Sequence, residues 1–186
     1  MIKELNSSLK ILKKGQTLLY PTDTVWGIGC DATNFNAVQK IYQLKQREDS
    51  KTMICLVKDF KMLSQFIEEI PEAAKNILKY AQKPTTIIYD RPKHMAQNLI
   101  ANDNTIGIRI VKDKFCFNLI KLLKKPIVST SANISGKPTP KSFKEIETEI
   151  LKGVDYVVNL KCENLDGSAS SIIKLSQNGE VKIIRP

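Results

Sequence analysis

The chain has 186 residues, 42% of them apolar, with 29 Lys and Arg against 19 Asp and Glu and a formal net charge of +10. That length suits one domain, 1–186, with a sizeable core, and no stretch approaches the roughly 18 apolar residues needed to cross a bilayer. The positive balance favours contact with phosphates, on a nucleotide, a nucleic acid or an anionic surface, although no block of like charge is long enough to be a disordered tail.

Residues 1–5 lack the basic start and apolar run of a secretory leader, so the expected location is the cytoplasm. Ile2, Leu5, Leu9 and Leu12 keep helical spacing and Gly15 closes the pattern. Residues 17–20 then predict a strand that runs into the turn Pro21-Thr22-Asp23-Thr24-Val25-Trp26-Gly27, two hydroxyls, a carboxylate and the only tryptophan at the mouth of a strand. Trp26 suits either a pocket wall or the core, and Asp23 either a ligand or the turn's own amides. A second helix is expected over 36–46, ending in Lys45-Gln46-Arg47 with Lys51 close behind, followed by a buried strand over 53–57. Those cations can gather a phosphate or merely complement the helix dipole.

Helices follow over 59–67, capped by Asp59, and over 71–81, opened by Pro71. Strands over 85–89 and 105–111 flank a polar connection of about fifteen residues, a length often found in ligand loops. Within the second strand Gly107 and Arg109 share a face, which makes Arg109 a candidate carboxylate or phosphate clamp or an ordinary strand arginine. A helix over 114–123 precedes a strand over 127–129 and the turn Ser129-Thr130-Ser131-Ala132-Asn133-Ile134-Ser135-Gly136, whose small polar residues can meet a ligand or bond one another. Ser142 and Glu145 have the spacing of a capping box for a helix reaching about residue 151. Strands over 154–160, 170–175 and 181–184 complete the chain, the last two joined at Asn178-Gly179. Interleaved helices and strands with antiparallel pieces predict an α/β fold with a mixed sheet covered by helices.

Several mechanisms lack their residues. His94 is the only histidine, in the long connection, and no nucleophile-elbow, Walker or Rossmann glycine pattern is present. Cys30, Cys55, Cys116 and Cys162 are widely spaced, which fits buried reduced thiols better than disulfides or zinc ligands, and no metal site is expected.

Taken together, Tyr20 to Gly27, Lys45/Arg47/Lys51, Gly107 to Arg109, Ser131 to Gly136, Ser170/Ser171 and Arg185 resemble, in order, the motifs of the YrdC family of threonylcarbamoyl-AMP synthases. The resemblance implies a YrdC-like twisted open mixed sheet flanked by helices around a basic concave cavity. It implies condensation of L-threonine, bicarbonate or CO2, and ATP into threonylcarbamoyl-AMP and pyrophosphate, with Mg²⁺ carried on the ATP phosphates, for modification of tRNA through a downstream threonylcarbamoyl transferase. By the same resemblance Lys45, Arg47 and Lys51 are catalytic. Lys45, Arg47, Thr105, Ser131, Asn133, Thr139 and Arg185 contact ATP, and Thr22, Thr24, Lys51, Arg109, Ser129, Thr130, Ser170 and Ser171 hold the threonine side.

One turn departs from the family: Gln82-Lys83-Pro84-Thr85-Thr86 puts a lysine where relatives commonly have glycine, although Thr86 can keep its place. A competing reading is a noncatalytic module that binds tRNA or double-stranded RNA through phosphates. The carbamoyl-transfer relative within hydrogenase-maturation proteins is disfavoured, since its acylphosphatase and zinc-finger segments do not occur here.

Overall fold

The apolar spacing of the first residues folds as α1, Ile2–Lys13, with Leu5 and Leu12 buried and Gly15 at φ +68° beyond its end. The computed structural model describes residues 1–47, 53–160 and 169–186; Lys51 and Cys162 lie outside them. Next come β1 (Leu18–Pro21), β2 (Trp26–Gly29), α2 (Phe35–Lys45), β3 (Ile54–Val57), α3 (Phe60–Leu63), α4 (Glu72–Tyr80) and β4 (Thr85–Asp90). The chain continues through β5 (Thr105–Ile110), α5 (Lys114–Leu123), β6 (Ile127–Ser131), α6 (Thr148–Gly153), β7 (Tyr156–Val157), β8 (Ser171–Leu175) and β9 (Val181–Arg185).

Among the described residues the strands form one mixed sheet in the order β7-β1-β2-β6-β3-β5-β4-β8-β9. The parallel pairs are β1 with β7, β3 with β5 and β4 with β8; the other neighbours are antiparallel. β6 is the seam. Ile127, Val128 and Ser129 pair with β3, while Thr130 and Ser131 pair with β2, so the hydroxyl-rich end of β6 leaves one neighbour for the other. α5 packs against α1 and β3, burying Phe115, Leu119 and Ile120, side chains worth roughly 1.5–3 kcal/mol each when fully removed from water. Cys30, Cys55 and Cys116 are buried free thiols, and burial pushes each thiol's pKa up.

β2 has no counterpart among the expected strands, because two glycines in Trp-Gly-Ile-Gly read as turn. Gly29 is needed there: a Cβ on it would lie 2.3 Å from the Val128 carbonyl oxygen and 2.7 Å from Tyr20 Cε1. Three expected elements shorten. The helix over 59–67 is the single turn α3, which Asp59 does cap by accepting from Met62 N at 2.7 Å. The helix over 142–151 is interrupted, because Glu145 accepts from Lys141 N and Ser142 Oγ and closes only a 3₁₀ turn, Phe143–Glu145, before α6 begins. The strand over 154–160 is the two-residue β7.

The long connection between β4 and β5 is packed rather than a ligand loop. Asn98 Nδ2 donates to Phe35 O and Gln39 Oε1 on α2, Ala96 N donates to Ala32 O, and Leu99 is buried. His94 is exposed there, at φ +59°.

α2 ends in a Schellman arrangement: Gln46 adopts the left-handed conformation (φ 49°, ψ 43°), its N–H donates to Gln43 O, and Arg47 N–H donates to Tyr42 O. A non-glycine residue carries a conformational cost there, so Gln46→Gly is expected to stabilise the fold by about 0.5–1 kcal/mol, or roughly 1–4 °C in Tm. Thermal unfolding checks it; an unchanged or lowered Tm would mean that the Gln46 side chain contributes more than its backbone costs.

Candidate active site

β1 and β2 pair up to Pro21 and Trp26, leaving 22–25 as a tight turn that Thr22 organises from within. Its Oγ1 accepts from Thr24 N (3.1 Å) and Val25 N (3.2 Å), donates to Val25 O (2.8 Å) and lies 2.8 Å from Thr24 Oγ1. Thr22 therefore holds the turn and stays out of the cavity wall, while Thr24 and Val25 form part of that wall.

The cavity, about 240 Å³, is walled by parts distant in sequence: Arg47 after α2, Met53 and Ile54 at the start of β3, Arg109 on β5, Ser129 to Ser131 on β6, Thr139, Ser170 and Ile172 around β8, and Arg185 on β9. Gly27 keeps this space open, since a Cβ on it would sit 3.3 Å from Ser129 Oγ. Three arginines enter the wall and no carboxylate does, among the described residues.

Arg109 is 4% exposed. Its Nη1 donates to Thr24 Oγ1 at 3.4 Å, and its Nη2 lies 3.0 Å from Asp23 Oδ1, yet Asp23 Oδ1 and Arg109 Nε are buried without an aligned hydrogen bond. This contact is a close ion pair that leaves hydrogen-bonding capacity unused on both sides. Arg185 bridges β9 to the start of β8: Nε donates to Ser170 O at 2.8 Å and Nη2 to Ser170 Oγ at 3.5 Å, while that hydroxyl sits 2.9 Å from Thr86 Oγ1. Burial lowers the guanidinium pKa of both Arg47 and Arg185, and the Arg109 charge lowers that of Arg185 further. An anion in the cavity would relieve that repulsion.

Lys45 takes a different place from the one expected. It is 1% exposed and is absent from the cavity wall. Its Nζ donates to Ser131 O, to Asn133 O at 2.6 Å and to Asn133 Oδ1 at 3.5 Å, while its own carbonyl accepts from Ser135 N at 2.8 Å. Burial first, then the Arg47 charge, pushes the ammonium down to about 7. Asn133 is likewise internal: Nδ2 donates to Ile134 O and Lys137 O, and Oδ1 accepts from Ser131 Oγ. Lys45 and Asn133 brace the turn that presents the β6 hydroxyls, with no atom on the cavity surface.

Two further expected contacts lie elsewhere. Thr105 pairs with Asp90 at the far end of β5, four residues and roughly 13 Å along the strand from Arg109, and donates to Asp103 Oδ1 at 2.7 Å. Ser171 points to the opposite face from Ser170 and Ile172, where it lines a groove with Tyr80, Lys83 and Ile173. Trp26 is buried against Phe143 with ring centroids 5.1 Å apart, which favours the packing alternative. The sequence reading passed over Val25, Met53, Ile54 and Ile172, the apolar part of the wall, because their apolar neighbours make them look like ordinary core. Among the described residues no group of three or more His, Cys, Asp or Glu gathers to hold a metal, and no helix is long and apolar enough to cross a membrane.

A mixed sheet carrying a guanidinium-lined, hydroxyl-rimmed cavity defines an α/β protein whose cavity chemistry suits polyanionic small molecules. The chain belongs to the Sua5/YciO/YrdC family, whose model, described as "Telomere recombination", matches residues 10–186. It is 36% identical over 186 residues to a putative threonylcarbamoyl-AMP synthase of Methanocaldococcus jannaschii, covering 97% of this chain and 86% of that protein. It is 31% identical to a threonylcarbamoyl-AMP synthase of Pseudoalteromonas translucida, covering 94% of each. The crystal structure of Pyrococcus abyssi Sua5 complexed with L-threonine superposes with a TM-score of 0.84 at 27% identity, covering 92% of this chain and 50% of that one. The chain thus spans most of the length of some relatives and about half of others.

Proposed function

We propose that the protein is an L-threonylcarbamoyladenylate synthase, joining L-threonine, bicarbonate or CO2, and ATP. The observation that carries this reading is the cavity wall itself, three arginines with hydroxyls and, among the described residues, no carboxylate, within a family whose relatives bear that activity in their names. The threonine amine adds to the carbon of CO2 and loses a proton to give a carbamate. A carbamate oxygen then attacks the α-phosphorus of ATP, and pyrophosphate leaves. Both nucleophiles come from the substrates, so the protein's part is to position them and to compensate charge.

In this reading Arg47 and Arg185 face the triphosphate together with Ser131 and Thr139, while Arg109 and Thr24 hold the threonine carboxylate. Ser129, Thr130 and Ser170 take threonine's polar groups. Lys51 keeps the role its motif implies, and Lys45 and Asn133 act through the turn they brace. Mg²⁺ fits as an ion carried by ATP: among the described residues the wall supplies hydroxyls and no carboxylate, so the anionic ligands would come from the phosphates. tRNA and a downstream threonylcarbamoyl transferase are the partners this product requires, and the cytoplasm is where ATP and tRNA meet.

Purified protein supplied with ATP, bicarbonate and threonine should release pyrophosphate only when all three are present. Release independent of threonine would overturn the proposal in favour of another ATP-cleaving reaction, and no release would overturn it and leave the RNA-binding reading. Arg109→Ala is expected to weaken threonine binding by roughly ten- to a hundredfold, the loss of charge-assisted hydrogen bonds of about 1.5–3 kcal/mol. Calorimetry showing unchanged threonine affinity would remove Arg109 from that role.

A further inference from the structure

A second cavity, about 270 Å³, opens beside the first and shares a partition with it: Asp23 lines the second and its ion-pair partner Arg109 the first. Its apolar side chains are Phe60, Leu78, Ala81, Pro84 and Ile110, and five lysines stand around them. Lys58 follows β3, Lys75 and Lys79 lie one turn apart on α4, Lys83 is in the turn before β4, and Lys112 follows β5.

The acids that reach this cavity are already engaged, Asp23 with Arg109 and Asp59 with Lys58 and the α3 N-terminus. Lys75, Lys83 and Lys112 have no carboxylate partner among the described residues, and Lys79 sits 5.4 Å from the Tyr80 ring centroid. A solvated helix face would explain Lys75 and Lys79. It does not explain lysines brought by four separate segments to the wall of one apolar hollow.

We propose that this cavity is a second nucleotide site, taking a phosphorylated nucleoside, free or as one unit of an RNA strand. The base lies on the apolar floor that includes the Phe60 ring, and the phosphate meets the lysines. The inference stands on this cavity alone and does not depend on the reaction assigned to the first.

The test is methyl-detected NMR titration with AMP, inorganic phosphate and a six-residue oligoadenylate. AMP is expected to move the Leu78 and Ile110 methyl signals as well as those of Met53 and Ile54 in the first cavity. The triple variant Lys75→Glu, Lys79→Glu, Lys83→Glu changes exposed side chains only and should weaken the Leu78 and Ile110 response roughly tenfold or more, leaving the Met53 and Ile54 response and pyrophosphate release unchanged. Inorganic phosphate should bind the second cavity at least about tenfold more weakly than AMP, since it lacks a base to bury. An oligoadenylate tighter than AMP identifies RNA as the source, and one no tighter identifies a free nucleotide. AMP shifts confined to the first cavity, shifts at Leu78 and Ile110 that survive the triple variant, or phosphate binding as well as AMP would each overturn the proposal.

Discussion

Arg47→Ala is expected to lower threonine-dependent pyrophosphate release by about a hundredfold, close to 3 kcal/mol of transition-state stabilisation, while changing Tm little. The argument begins in the backbone. Gln46 in the left-handed conformation turns the chain at the end of α2, and Arg47 N–H closes the cap on Tyr42 O, so the Arg47 side chain leaves the helix toward the cavity. Substitution at Cβ leaves that cap intact. Negative charge grows on the bridging and α-phosphate oxygens as pyrophosphate departs, and a guanidinium standing in the cavity wall can compensate it. The loss should therefore fall mainly on kcat, and Arg47→Lys should restore only part of it, since a point charge does not reproduce the planar fork. A folded Arg47→Ala variant with wild-type turnover would remove Arg47 from the reaction.

The architecture was legible wherever side-chain pattern alone decides. The 3.6-residue spacing in α1, α2 and α5 and the β-branched runs of β3, β5 and β8 appear in the structure within a few residues of their expected ends. What could not be read depends on contacts between distant segments. β2 exists because Val128 and Tyr20 approach Gly29 too closely for any side chain, a fact held in β6 and β1 rather than in β2's own residues. The 59–67 helix ends early as Gln65 N and Phe66 N turn to the carbonyls three residues back, Met62 O and Leu63 O, and the 142–151 helix breaks where Glu145 is drawn back to Lys141 N.

The candidate site divides along the same line. Arg47, Arg109, Ser170 and Arg185 stand in the wall because strand alternation or a helix cap sends them there, whereas Ser171 fails the same alternation by one residue. Lys45 is the instructive case. The motif Lys-x-Arg suggests two cations side by side, but the left-handed residue between them separates their directions, one under the Ser131 to Asn133 turn and the other into the cavity.

Lys45→Met is expected to abolish most activity, roughly a hundredfold or more, through geometry rather than lost contact with ATP. The Nζ meets three oxygens, Ser131 O, Asn133 O and Asn133 Oδ1; below pH 7 the ammonium has a proton for each, and above it the neutral amine still donates to two. Methionine fills the same volume and leaves all three oxygens without that donor, so Ser129 to Ser131 should lose their fixed positions. A signature in pH distinguishes this brace from a simple packing role. The folded-state value is about 7, against about 10.4 for lysine in an unfolded chain. Between those values the unfolded chain binds a proton that the folded chain has released, so this group makes stability rise with pH by at most about 1.4 kcal/mol per unit. Below pH 7 both states are protonated and its slope vanishes; above about 10.4 both are neutral and it vanishes again. Denaturant unfolding of the wild type and Lys45→Met at pH 6, 8 and 9.5 isolates the contribution, because methionine carries no such proton. The wild type should gain stability relative to the variant from pH 7 upward, and a difference that stays flat across that range would show that Lys45 is not held in the buried, depressed state on which this account of the turn depends.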